Sequence, residues 1–138
     1  MQPPAPTRPP FQHAVRVYWE DTDAGGIVFY ANYLKFFERA RTEWLRALGV
    51  EQQALRDATG AIFIVGQTTV RYLRPARLDD LLHVSCELRE AGRASMTLAQ
   101  QARRGNELLA EGDIRIGCVD AQTLRPRRIP MTLIERLA

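Results

Sequence analysis

One segment constrains the fold more than any other: NYLKFFERARTEWLRALG, from Asn32 to Gly49. Tyr33, Phe37, Ala40, Trp44 and Leu48 recur at spacings of three and four, which puts them on one stripe of an α-helix. Leu34, Phe36 and Leu45 widen that stripe. Glu38, Arg39, Arg41, Glu43 and Arg46 fall largely outside it. Asn32 suits an N-cap and Gly49 the position just past the helix. The spacing predicts a helix of about 17 residues, roughly 25 Å long at 1.5 Å per residue. A stripe this broad and aromatic has to be covered by another apolar face.

The rest of the chain supplies that face as strands. HAVRVYW, His13–Trp19, alternates Val15, Val17 and Trp19 against Ala14, Arg16 and Tyr18. EQQALRDATG reads as a short second helix ending at Gly60. IFIVGQTTVRYL, Ile62–Leu73, is a β-rich run stopped by Pro75. Three period-2 segments follow, DLLHVSCELRE, RASMTLAQQARR and ELLAEGDIRIGCVD. Their short glycine-containing joints, AGR and RGN, predict an antiparallel meander. IPMTLIERLA reads as a final short helix with Pro130 in its first turn. The expected fold is α+β, with about five antiparallel strands wrapped around one long helix. That order of elements matches the hot-dog architecture. Such a sheet has open edges, which predicts a homo-oligomer.

Composition narrows the function classes. At 138 residues the chain suits one domain, expected over residues 11–138. Residues 1–10 hold five of the prolines and are expected to form a disordered or extended tail. The net charge of +3 is too small to argue for nucleic acid and suits an anionic small molecule. Lys35 is the sole lysine, so arginines carry the other positive charges; a planar guanidinium fork suits phosphates. Cys86 and Cys118 lack CxxC spacing and lie in alternating segments, which predicts two free core thiols and no metal site. His13 and His83 sit on strand candidates without a partner carboxylate and read as structural. No apolar run approaches the roughly 20 residues of a membrane span, and no apolar h-region follows the N-terminus. The expected location is the cytoplasm.

The chemistry-bearing motif is EDTDAGG, from Glu20 to Gly26. An EF-hand loop counted from Asp21 would need a bidentate Glu at position 12, where Asn32 stands. A phosphatase-type aspartyl nucleophile fits poorly, because the later strands read as antiparallel and Lys35 is the only lysine. Two readings stay open. Asp21, Thr22 and Asp23 can simply close a turn and a helix start. Alternatively, a carboxylate there faces the first turn of the long helix, whose unpaired N–H groups carry the positive end of the dipole. That pairing suits acyl transfer: the N–H groups hold a developing oxyanion, and the carboxylate acts as nucleophile or general base. Gly25 and Gly26 would let the loop turn tightly and a substrate approach the backbone.

Taken together, VRVYWEDTDAGGIVFYANYLKFFERARTEWLR, VRYLRPARLDDLLHV and CVDAQTLRPRRIP resemble the hot-dog acyl-CoA thioesterases. The likeness is strongest to the Tol-Pal-associated (YbgC-type) group, related to 4-hydroxybenzoyl-CoA thioesterase. It spans nearly everything after the tail. The resemblance implies an acyl-CoA substrate, no cofactor beyond the coenzyme A of that substrate, and Asp23 as the catalytic carboxylate. It implies that the backbone N–H of Tyr30 polarises the thioester carbonyl. It also implies dimers or tetramers with the active site at the dimer interface. Gly25, Gly26, Val28, Phe29, Asn32, Tyr33 and Arg74 are the expected substrate contacts. Asn32 and Tyr33 also suit cap and core. The arginines of RYLRPAR and RPRR are candidates for the coenzyme A phosphates. The YbgC-type group carries Y-H where this chain has Phe29-Tyr30; Tyr30 is closer to the aromatic acyl-CoA branch. The alternatives to weigh are a catalytically idle hot-dog that binds acyl chains or scaffolds partners, and a thioesterase acting on acyl carrier protein.

Overall fold

The computed structural model describes residues 10–137, so the expected tail lies outside the described residues apart from the exposed Pro10. Five strands form one antiparallel sheet: β1 Phe11–Arg16, β2 Ala61–Tyr72, β3 Leu81–Ala91, β4 Ser95–Arg104 and β5 Glu107–Asp120. Their order across the sheet is β1-β3-β4-β5-β2. β3, β4 and β5 form the meander that their alternation predicts, and β2 returns to pair with β5 from Ala61↔Asp120 to Tyr72↔Ala110. Among the described residues three α-helices accompany the sheet: α1 Tyr33–Ala47, α2 Gln52–Thr59 and α3 Met131–Leu137. The sheet wraps α1, which is the hot-dog architecture expected from the element order.

The stripe of α1 is buried as its spacing requires. Tyr33, Phe36, Phe37 and Ala40 join Val15, Leu82, Val84 and Ile114 in one core cluster. Trp44 and Leu45 join Met96, Leu98, Ile116 and Leu133 in a second. The helix ends in a Schellman motif: Val50 N–H donates to Leu45 O and Gly49 N–H to Arg46 O, both at 2.8 Å. Val50 and Leu45 are both buried, the apolar contact that accompanies this motif. One polar side chain enters the core. Gln100 is fully buried; its Nε2 donates to Phe37 O on α1 and Ser85 O on β3, and its Oε1 accepts from Arg41. This amide fixes α1 against the sheet, because leaving any of those groups unpaired in the core is costly.

The structure corrects the sequence at several points. α1 has 15 residues rather than 17, preceded by a separate 3-10 turn over Tyr30–Asn32. Asn32 is not a side-chain cap; its Nδ2 donates instead to Asp21 O at 2.8 Å. Leu34 is 44% exposed and leaves the stripe. The first strand stops at Arg16 instead of running to Trp19, and Trp19 is 82% exposed. The cause is local. Asp21 Oδ2 accepts from Tyr18 N–H at 2.8 Å, Asp21 N–H donates to Tyr18 O, and Thr22 Oγ1 donates to Trp19 O. Asp and Thr offered the backbone a 3-10 turn in place of the ladder.

Candidate active site

Residues Asp21 to Phe29 fold as a small hairpin in front of α1. Phe29 N–H donates to Asp21 O, Asp23 N–H to Ile27 O, and Gly26 N–H to Asp23 O. Asp21 anchors the base: it is 6% exposed and engaged through its carboxylate, its N–H and its carbonyl. Asp23 stands at the exposed tip. Its Oδ1 accepts from Gly25 N–H at 2.8 Å, an Asx turn. A side chain at Gly25 would bring its Cβ to 3.2 Å from that oxygen. Gly26 has φ +80°, the left-handed region that glycine adopts without strain. Gly25 therefore serves the carboxylate's setting directly, and Gly26 the turn of the hairpin.

The 3-10 turn Tyr30–Asn32 runs straight into α1. Its first N–H, that of Tyr30, has no partner among the described residues; the opening N–H groups of a helix have none within it. Beside this turn lies a cleft of about 230 Å³. Val28, Tyr30, Tyr33 and Arg74 line it, all singled out from the sequence. Ile27, Tyr72, Leu73 and Pro75 line it too, and these the sequence reading missed. Most of that lining is apolar. Phe29 is not on the wall but packs on the Tyr30 ring, with centroids 4.8 Å apart. Asp23 is not on the wall either; its backbone N–H donates to the carbonyl of Ile27, a residue of that wall. Gly25, Gly26 and Asn32 likewise support the hairpin and do not touch the cleft.

Three tyrosines organise the wall. Tyr33 is buried in the core and its Oη accepts from Ala76 N–H at 3.2 Å. Tyr72 stacks edge-on against Tyr33 and Tyr30, with centroids 5.5 and 6.1 Å away. Its Oη donates to Tyr30 O at 3.0 Å. Burial pushes the phenol pKa of both Tyr33 and Tyr72 upward, so both stay neutral near neutral pH. The YLRP stretch from Tyr72 to Pro75 was the available signal for the missed wall. It follows the long strand, and Pro75 turns the chain so that Ala76 O accepts from Val28 N–H.

The arginines divide. Arg74 lines the cleft and pairs with Glu107 at 3.1 Å, and Arg71 pairs with Glu111 at 3.0 Å. Arg127 and Arg128 gather with Arg93 around a separate cleft of about 290 Å³. That cleft adjoins Ala94, which bonds Cys118. Along β5, Cys118 is about 26 Å from Ala110, the partner of Tyr72, at roughly 3.3 Å per residue. Cys86 and Cys118 are free and buried, as expected, and burial pushes the Cys86 thiol up to about 12. Among the described residues, no three His, Cys, Asp or Glu side chains converge as a metal ion would need. No described helix is long and apolar enough to cross a membrane.

A family model described as "Thioesterase-like superfamily" matches residues 17–137. The chain is 43% identical over 125 residues to "Acyl-CoA thioester hydrolase YbgC" of Escherichia coli, covering 90% of this chain and 92% of that one. It is 42% identical over 120 residues to "Acyl-CoA thioesterase YbgC" of Haemophilus influenzae, covering 87% and 88%. Its fold matches the crystal structure of a probable thioesterase from Bartonella henselae with a TM-score of 0.82 and 31% identity, over 86% of this chain and 98% of that one.

Proposed function

This chain belongs to the thioesterase-like superfamily and is a thioesterase, and from that premise we propose that it hydrolyses acyl-CoA to a free acid and coenzyme A. The observation that carries the reading is the unpaired N–H of Tyr30, a residue of the apolar cleft wall, together with the hairpin that carries Asp23 and meets that wall at Ile27. The acyl group lies along the tyrosine wall and its carbonyl oxygen meets the Tyr30 N–H. Asp23 Oδ1 is held by Gly25, which leaves the other carboxylate oxygen for chemistry. That oxygen attacks the carbonyl carbon directly, or takes a proton from a water that does. Negative charge then builds on the carbonyl oxygen, where the N–H and the positive end of the helix dipole stabilise it. Collapse expels the coenzyme A thiolate, which takes up the proton that Asp23 drew from water or, on the direct route, the proton released when water cleaves the anhydride. On the direct route, water then hydrolyses the mixed anhydride. A single well-fixed donor of this kind is worth about 10²–10³ in rate.

Arg74 at the rim is the proposed contact for the coenzyme A moiety. Its ion pair with Glu107 is solvent-exposed and therefore weak, so it exchanges readily for a phosphate. We also propose a homo-oligomer, dimer or tetramer. β2 lies at a sheet edge with Ile64 and Val65 exposed at 43% and 48%, an edge suited to pairing with a second copy.

The test is release of free coenzyme A from a panel of short, long and aromatic acyl-CoAs, with light scattering on the same sample. Turnover by an assembly larger than one chain is expected. Ligand binding without turnover on any acyl-CoA would instead favour an idle acyl-binding protein, and a monomer mass would overturn the assembly.

A further inference from the structure

Tyr72 lies outside the core clusters, and the proposed function uses it only as one part of the cleft wall. It is the last residue of the edge strand β2 and is 46% exposed. Its phenol nevertheless reaches across to the 3-10 turn before α1 and donates to Tyr30 O. Its ring lies edge-on between Tyr30 and the core-anchored Tyr33. Edge-to-face geometry of this kind contributes beyond simple burial, so the ring is held and not merely present.

Two consequences follow from that position. The first is steric. The cleft of about 230 Å³ is bounded on one side by the Tyr72 ring. Pockets for drug-sized ligands run from about 300 to 1,000 Å³, so this one suits a compact acyl group. The second concerns orientation. A hydrogen bond to Tyr30 O restrains the peptide that leaves Tyr30, and only the φ and ψ of that residue separate it from the peptide that carries the Tyr30 N–H.

We infer that Tyr72 is the residue that limits the acyl group to a compact one and that holds the Tyr30 backbone in register, an inference that rests on the thioesterase reading above. Ring and hydroxyl are thereby separable. The ring sets which acyl group fits, and the hydroxyl sets how well the carbonyl is polarised once it has fitted.

The experiment compares wild type, Tyr72→Phe, Tyr72→Leu and Tyr72→Ala on acetyl-, hexanoyl-, palmitoyl- and benzoyl-CoA, with a melting curve for each variant. Tyr72→Ala should raise the palmitoyl-to-hexanoyl ratio of kcat/KM by about tenfold or more, the scale of discrimination by a hydrophobic pocket. Tyr72→Leu should shift the ratio in the same direction and covers the case in which the alanine variant does not fold. Tyr72→Phe should keep the wild-type ranking while kcat falls about fivefold on every substrate, the rate equivalent of one neutral hydrogen bond. Its KM should stay within about twofold, because ground-state binding is unchanged. A wild type that turns over while the alanine and leucine variants keep its ranking overturns the role of the ring. An unchanged kcat in Tyr72→Phe overturns the role of the hydroxyl. A wild type that cleaves no thioester overturns the thioesterase reading, and this inference with it.

Discussion

The two ends of α1 carry similar residues into different surroundings. At the C-terminal end, Trp44 and Leu45 are sealed among Met96, Leu98, Cys118 and Leu133. The Schellman turn closes over them, and Arg136 of α3 donates to Leu48 O at 2.7 Å. At the N-terminal end, Tyr33, Phe36 and Phe37 are buried as deeply. Just outside them, however, Tyr18, Trp19, Phe29, Tyr30 and Tyr72 remain exposed. Leaving apolar area in water forgoes about 25 cal/mol per Å². A chain that seals one end of its helix and leaves aromatics open at the other keeps that end for a ligand or a partner.

The contrast is most sharply broken by stability measurements. Leu98→Ala at the sealed end should lose about 2–5 kcal/mol, since Leu98 is fully buried and a cavity remains. Tyr30→Ala at the open end should lose under about 1 kcal/mol, as an exposed side chain does. Urea midpoints at constant m-value check both, and equal losses would erase the distinction.

A smaller effect is expected between the ends. Gln100→Leu keeps the volume of the clamp but removes its hydrogen bonds to Phe37 O, Ser85 O and Arg41. It should cost about 1–3 kcal/mol, the penalty for unsatisfied buried groups. Chemical denaturation measures it directly.

The smallest effect is pH-dependent. Asp120 accepts from the N–H groups of Thr123 and Gln122, which holds its carboxyl below the usual aspartate range. A depressed carboxylate contributes stability above its unfolded pKa and loses it as pH falls through the folded one. The stability gap between wild type and Asp120→Ala should therefore be steady at neutral pH and shrink below about pH 4. A gap that instead grows on acidification would contradict the hydrogen-bond assignment.

What the sequence made legible follows the same division. Period-3.6 and period-2 patterns located α1 and the meander because burial on one face imposes them. Gly49 marked the end of α1 for the reason seen in the Schellman bonds. The start was less legible. Trp19 and Leu34 obey the apolar periodicity and yet stand exposed, since periodicity cannot tell a core position from a binding one. The 3-10 turn at Trp19–Asp21 is held by the side chains of Asp21 and Thr22, which the alternation of the strand hides. Tyr72 lies 42 residues from the Tyr30 carbonyl it binds, and only the β2–β5 register brings it there.

The central claim is that Asp23 performs the chemistry at the open end of α1. The direct measurement is acyl-CoA cleavage by Asp23→Asn beside wild type, with melting curves to establish that both are folded. The asparagine keeps an oxygen for the Gly25 N–H, so the hairpin and the melting temperature should persist. The rate should fall about 10²–10⁴-fold, the usual contribution of a positioned acid–base group. A folded Asp23→Asn that cleaves at the wild-type rate would contradict the account and leave Asp23 a turn residue.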